Sequence, residues 1–86
     1  MNNKYKTSLS LVMDEIKIAE EKWPIWPENK YEGIAIITEE LGELSQAILR
    51  HEKENGAAYE ILLEAVQVAC TSIRFIYNFL ERCQEK

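Results

Sequence analysis

From Ala57 to Lys86 the chain runs thirty residues without a glycine or proline. A run of that length with no breaker reads as one helix. At 100° per residue, Ile61, Leu62, Ala65, Val66, Val68, Ala69, Ile73, Phe75, Ile76, Phe79 and Leu80 form an apolar arc over roughly half the circumference, wider than the stripe a surface helix needs. Whatever else this chain contains must cover that arc, or a second copy must.

Two shorter helices precede it. Leu9, Val12, Ile16, Ala19 and Trp23 recur at steps of three and four. Thr7 or Ser8 is the expected cap, and Trp23-Pro24 the expected end, because proline disfavours helical geometry in the residue before it. Pro24-Ile25-Trp26-Pro27-Glu28 reads as a short, stiff, ordered connection. The second helix is expected from Asn29, which has capping-box spacing to Glu32, with an apolar line of Ile34, Ile37, Leu41, Leu44 and Ile48. Gly33 and Gly42 inside it suggest close approach of a neighbour, and Asn55-Gly56 is a strong stop. The expected fold is therefore all-α, a three-helix chain forming a helical bundle completed by dimerisation. Residues 1–86 make one domain, within the usual size limits.

Composition narrows the function. Ten basic against 15 acidic residues give a net charge of -5, which argues against binding nucleic-acid polymers or anionic membranes. The apolar stretch from Ala57 to Leu80 is interrupted by Glu60, Glu64, Gln67 and Arg74, so no membrane span is expected. Cys70 and Cys83 lie about 20 Å apart along one helix, beyond disulfide reach. With no signal-peptide core, a reducing cytoplasmic setting is expected.

Glu40 and Glu43, three residues apart, are neighbours on the helix surface, and their row continues through Ile36 and Ala47. They interrupt the flank of an apolar face, with no cation at neighbouring helical positions. On the third helix, Glu60, Glu64, Gln67, Thr71, Arg74 and Asn78 form one polar row at steps of four and three. If the two helices pack antiparallel, the rows can face each other. Several acids converging in a partly dry site need a cation, and oxygen-only ligands suit Mg²⁺ or Mn²⁺. Isolated acidic pairs are ordinarily solvated faces; it is the two rows on adjacent helices that point to metal. His51, the only histidine, stands near a helix end and reads as a surface residue, and there is no glycine-rich phosphate loop or zinc-ligand spacing.

Glu39-Glu40-Leu-Gly-Glu43-Leu, followed by Glu64-Ala-Val-Gln67, resembles the signature of the MazG-like all-α nucleotide pyrophosphohydrolases, which carry EExxE on one helix and ExxD on the next. The likeness covers roughly Ile34 to Leu80, and Trp26-Pro27 leading into Ala35-Ile36-Ile37 also fits. The resemblance implies a Mg²⁺-dependent hydrolase (with Mn²⁺ as the other metal) that cleaves a (deoxy)nucleoside triphosphate to the monophosphate and pyrophosphate. It implies a homodimer or homotetramer. By position, Glu40, Glu43 and Glu64 are metal ligands, and Glu39 is a further ligand or the group that activates water. Gln67 stands where the superfamily has aspartate, as in a short variant of it; an amide oxygen can ligate but brings no charge. Glu60, one turn before Glu64, is the expected source of part of that charge. Trp26 and Tyr31 are candidate base contacts, Arg74 a phosphate contact and Asn78 a sugar or base contact. The alternative is a catalytically inactive MazG-like helical dimer that binds nucleotide or protein, favoured by Gln67 and by the scarcity of basic residues near the acids.

Overall fold

Helix-forming segments alternate with strong punctuation, and the structure follows that punctuation closely. The computed structural model of the chain describes residues 3–84. All regular structure among them is helical: α1 spans Lys6–Lys22, α2 Lys30–Glu54 and α3 Ala58–Gln84, with a 3-10 turn at Asn3–Tyr5 leading into α1. None of these helices is long and apolar enough to cross a membrane. The final two residues of the expected third helix, Glu85 and Lys86, lie outside the described residues.

The ends show which local signals acted. Thr7 and Ser8 lie inside α1 and cap nothing: the 3-10 turn feeds directly into the helix, so Tyr5 takes the N-cap position without a side-chain bond. Trp23 ends α1 ahead of Pro24, its N–H reaching Ala19 O at 2.7 Å. Asn29 caps α2, its Oδ1 accepting from Tyr31 N at 2.7 Å. That bond goes to Tyr31 and not to Glu32, so the cap is a plain asparagine cap and not the expected box. Asn55 closes α2 in the left-handed region at φ 57°, and Gly56 N bonds Arg50 O at 2.9 Å. His51 Nδ1 donates to Gly56 O at 2.7 Å, which ties the sole histidine to the turn.

α3 is the central element. Both other helices pack on it, and α1 and α2 do not pack on each other. Arg50 meets Glu60 and Gly33 meets Phe75, so α2 and α3 are antiparallel. Glu15 meets Gln67 and Trp23 meets Arg74, so α1 runs along α3 in the same direction. The connection between α1 and α2 is tied down by two arginines of α3. Arg74 Nη2 donates to Trp23 O at 2.6 Å and Arg82 Nη2 to Pro27 O at 2.7 Å. A two-proline segment has few backbone N–H groups of its own, and these carbonyls find side-chain donors instead.

Gly33 is the position where a side chain does not fit: a Cβ there would stand 2.9 Å from the Phe75 ring. Gly42 has open space around it, so the expected close approach holds for only one of the two glycines. The face that α2 turns to α3 is Gly33, Ile36, Ile37, Glu40, Leu44 and Ala47. Only two of the five residues in the expected apolar line are therefore covered. Ile37 and Leu44 are half-buried, whereas Ile34, Leu41 and Ile48 are exposed. Buried apolar residues are few among the described residues: Ala19, Ala47 and Cys70. The radius of gyration, 14.6 Å, exceeds the ~12 Å of a compact chain this size.

Candidate metal centre and cleft

Because α1 and α2 flank α3 without touching, a cleft of about 620 Å³ lies between them, within the range of small-molecule sites. Glu15, Ile18, Ala19 and Lys22 of α1 form one wall, and Ile36, Glu39, Glu40 and Glu43 of α2 the other. The floor is Glu64, Gln67, Cys70, Thr71 and Arg74 of α3, and Trp23, Ile25, Trp26 and Pro27 of the connection close one end. The cleft is thus acidic at one end and aromatic at the other, with Lys22 and Arg74 as its two cations.

At the acidic end, Glu40, Glu43 and Glu64 each bring one carboxylate oxygen within 4.8 Å of the others. Burial foremost, then the charges of Glu43, Glu64 and Glu39, push the Glu40 carboxyl up from 4.5 to about 6. Glu64 is raised by burial first, then by a hydrogen bond to Glu43 and by its charge; Arg50 acts against this. Glu64 Oε2 is buried with no partner, and an anionic oxygen in that position calls for a proton or a cation. The donor chemistry suits Mg²⁺ or Mn²⁺, since all three side chains offer hard oxygens. Exposed acidic groups also gather without metal, so the fit rests on donor chemistry alone.

Of the residues singled out in the sequence, Glu39, Glu40, Glu43, Glu64, Gln67, Trp26 and Arg74 line this one cleft. Tyr31 and Asn78 do not. Tyr31 is 71% exposed beneath the Lys30 ammonium, and Asn78 Nδ2 donates to Arg74 O at 2.7 Å beside a smaller depression. Glu60 is outside as well. Its carboxylate pairs with Arg50 at 3.3 Å and lines no part of the cleft, although its charge still helps to raise Glu64. Arg74 is 7% exposed and already engaged: beyond the Trp23 carbonyl it lies 3.4 Å from Glu20 Oε2, and its guanidinium sits 5.2 Å over the Trp26 ring, with Nε unpartnered.

Glu15, Lys22, Trp23, Ile25, Cys70 and Thr71 also line the cleft. Thr71 belongs to the polar row of α3 and was visible there. Glu15 had no local signal, since it is brought to the site only by docking of α1. Cys70 is a buried free thiol, its ionisation held up by burial, with the Glu15 charge next in weight. No known family model matches the chain, and comparison with curated proteins and solved structures likewise yields no match.

Proposed function

We propose that this chain is a divalent-metal-dependent nucleotide pyrophosphohydrolase of the MazG-like all-α type, working in the cytoplasm as a homodimer or homotetramer on a (deoxy)nucleoside triphosphate. The convergence of Glu40, Glu43 and Glu64 at one end of a cleft whose other end is aromatic supports this above all. A triphosphate carries its charge at one end and an apolar ring at the other, and the cleft is divided in the same way.

Glu40, Glu43 and Glu64 hold the metal, with Gln67 as a neutral oxygen donor beside them. Bound Mg²⁺ or Mn²⁺ supplies Lewis acidity and neutralises phosphate charge. Glu39, at the exposed edge of the acidic end, accepts a proton from water as that water attacks phosphorus. One phosphorus–oxygen bond forms and the bond to the pyrophosphate leaving group breaks, leaving the monophosphate. Lys22 provides further positive charge, and Trp23 and Trp26 provide the apolar wall for the base. Self-association accounts for the exposed apolar surface of α2 and α3, including Leu41, Ile48, Leu62, Ile76 and Leu80.

The test is to incubate the chain with Mg²⁺ or Mn²⁺ and a panel of ribo- and deoxynucleoside triphosphates. Pyrophosphate and monophosphate are expected to appear, and to disappear with Glu43→Gln. One observation favours a second reading, the inactive binding module: Gln67 is neutral and its amide nitrogen is already held by Glu15 at 2.6 Å. Nucleotide binding without any turnover on the panel would establish that module instead.

A further inference from the structure

Glu15 and Gln67 are 52 residues apart, yet Gln67 Nε2 donates to Glu15 Oε2 at 2.6 Å in a part-buried contact. A carboxylate oxygen accepts and a primary amide has one donating and one accepting end, so this bond decides which end of Gln67 faces elsewhere. With the nitrogen engaged by α1, the end of the amide able to meet a cation is the carbonyl oxygen. Gln67 lies one helical turn from Glu64, whose buried Oε2 has no partner. Both Glu15 and Gln67 line the cleft.

We propose that Glu15 is a positioning residue: by holding the Gln67 amide nitrogen it presents the Gln67 carbonyl oxygen as a neutral ligand to a divalent cation held by Glu40, Glu43 and Glu64. This rests on the metal-dependent reading above and deepens it. A free glutamine amide rotates between two ends of opposite polarity, and an N–H turned toward a cation repels it. Fixing the amide removes that wrong orientation. The same bond joins α1 to the acidic site, so α1 contributes to metal affinity although the cluster itself is built by α2 and α3.

The test is isothermal titration of the full chain with Mg²⁺ alone and with Mn²⁺ alone, with far-UV circular dichroism and melting as folding controls. Glu15→Ala removes the acceptor and is expected to weaken both metals by about 10–100-fold, the usual cost of losing such an outer partner. Glu15→Gln keeps an acceptor oxygen in nearly the same place and is expected to stay within a few-fold of wild type. In a Gln67→Ala background, which has no amide to hold, Glu15→Ala is expected to weaken neither metal further. A purely structural role for Glu15 would cost the same affinity in both backgrounds. If Glu15→Ala binds both metals as wild type does, Glu15 has no part in the site. If Glu15→Gln loses as much as Glu15→Ala, the charge and not the orientation matters, and positioning is refuted. A wild-type chain that takes up neither metal overturns the metal-dependent reading and this inference together, whereas binding that every variant shares overturns this inference alone.

Discussion

The two sides of α3 have exchanged the roles usual for a globular helix. Its inward side carries a polar row, with Glu64, Gln67 and Asn78 half-buried and Thr71 and Arg74 buried. Its other side leaves Leu62, Leu63, Ile73, Ile76, Phe79 and Leu80 exposed in the single chain. A helix in water normally turns its apolar side inward. The difference teaches that the described fold of one chain lines its cleft with polar groups and leaves much of its apolar surface exposed. Polar groups on the inward side are costly unless paired, and most of this row has partners: Gln67 has Glu15, Thr71 bonds the Gln67 and Val68 carbonyls of its own helix, and Arg74 has Trp23 O. Glu64 Oε2 is the exception at the acidic end, and it stands where the metal is proposed.

The strongest way to break this comparison is at the acidic end. Replacing Glu64 with glutamine is expected to lower metal-dependent pyrophosphate release by on the order of 100-fold or more, since ligand and charge are lost together. A stopped pyrophosphate assay on folded protein reads this, and unchanged turnover would remove Glu64 from the site. Next in size is Arg74→Met, which keeps an apolar stem but leaves the Trp23 carbonyl without its donor. A loss of about 2–3 kcal/mol in urea-unfolding stability is expected, in line with deleting a charged hydrogen-bonding group from a buried position.

The outward side is sharpened by Ile76→Glu, placed on exposed surface away from the cleft. Burying an isoleucine contributes about 1.5–3 kcal/mol, so the proposed dimer should weaken at least tenfold by analytical ultracentrifugation while the helical spectrum persists. If the chain sediments as a monomer before any substitution, the apolar side is not a self-association surface. A smaller effect concerns pH. The Glu40 carboxyl is raised to about 6 in the folded chain against 4.5 ordinarily, so its contribution favours folding below pH 4.5 and is lost as pH rises through 6. Without metal, melting should therefore be higher near pH 5 than near pH 7, by on the order of 1 kcal/mol once solvent screening is discounted. Added Mg²⁺ should reverse the trend at pH 7, because it binds the ionised form. The smallest change is expected for His51→Ala, about 0.5–1 kcal/mol from the lost bond to Gly56 O, with catalysis untouched.

Much of this was legible beforehand for a local reason. The three helices, the proline stop at Trp23, the asparagine cap at Asn29 and the left-handed Asn55 all follow from interactions within about four residues. The acidic triad was legible too, because Glu40 and Glu43 share a helical row and a short turn folds α3 back antiparallel. Which face of α2 would be covered was harder to read. Ile34, Leu41 and Ile48 have the right period, but the contact follows Gly33, Glu40 and Ala47, where small residues and the close Phe75 ring let the helices approach. Glu60 and Glu64 occupy successive positions of one polar row, and only the fold shows that Glu64 lines the cleft while Glu60 pairs with Arg50 outside it.

The sequence by itself determined helix number, most helix ends and the row on which each acid lies, while the start of α1 escaped it, since propensity, capping and period act over one or two turns. Tertiary structure alone decided that α1 and α2 flank α3 without touching, which opens the cleft. It also decided that Glu15 meets Gln67 and that Arg74 and Arg82 hold the carbonyls of the connection. These contacts join residues more than fifty positions apart, and no local rule carries information over that distance: they exist only once the apolar stripes have chosen their partners and brought the polar groups with them.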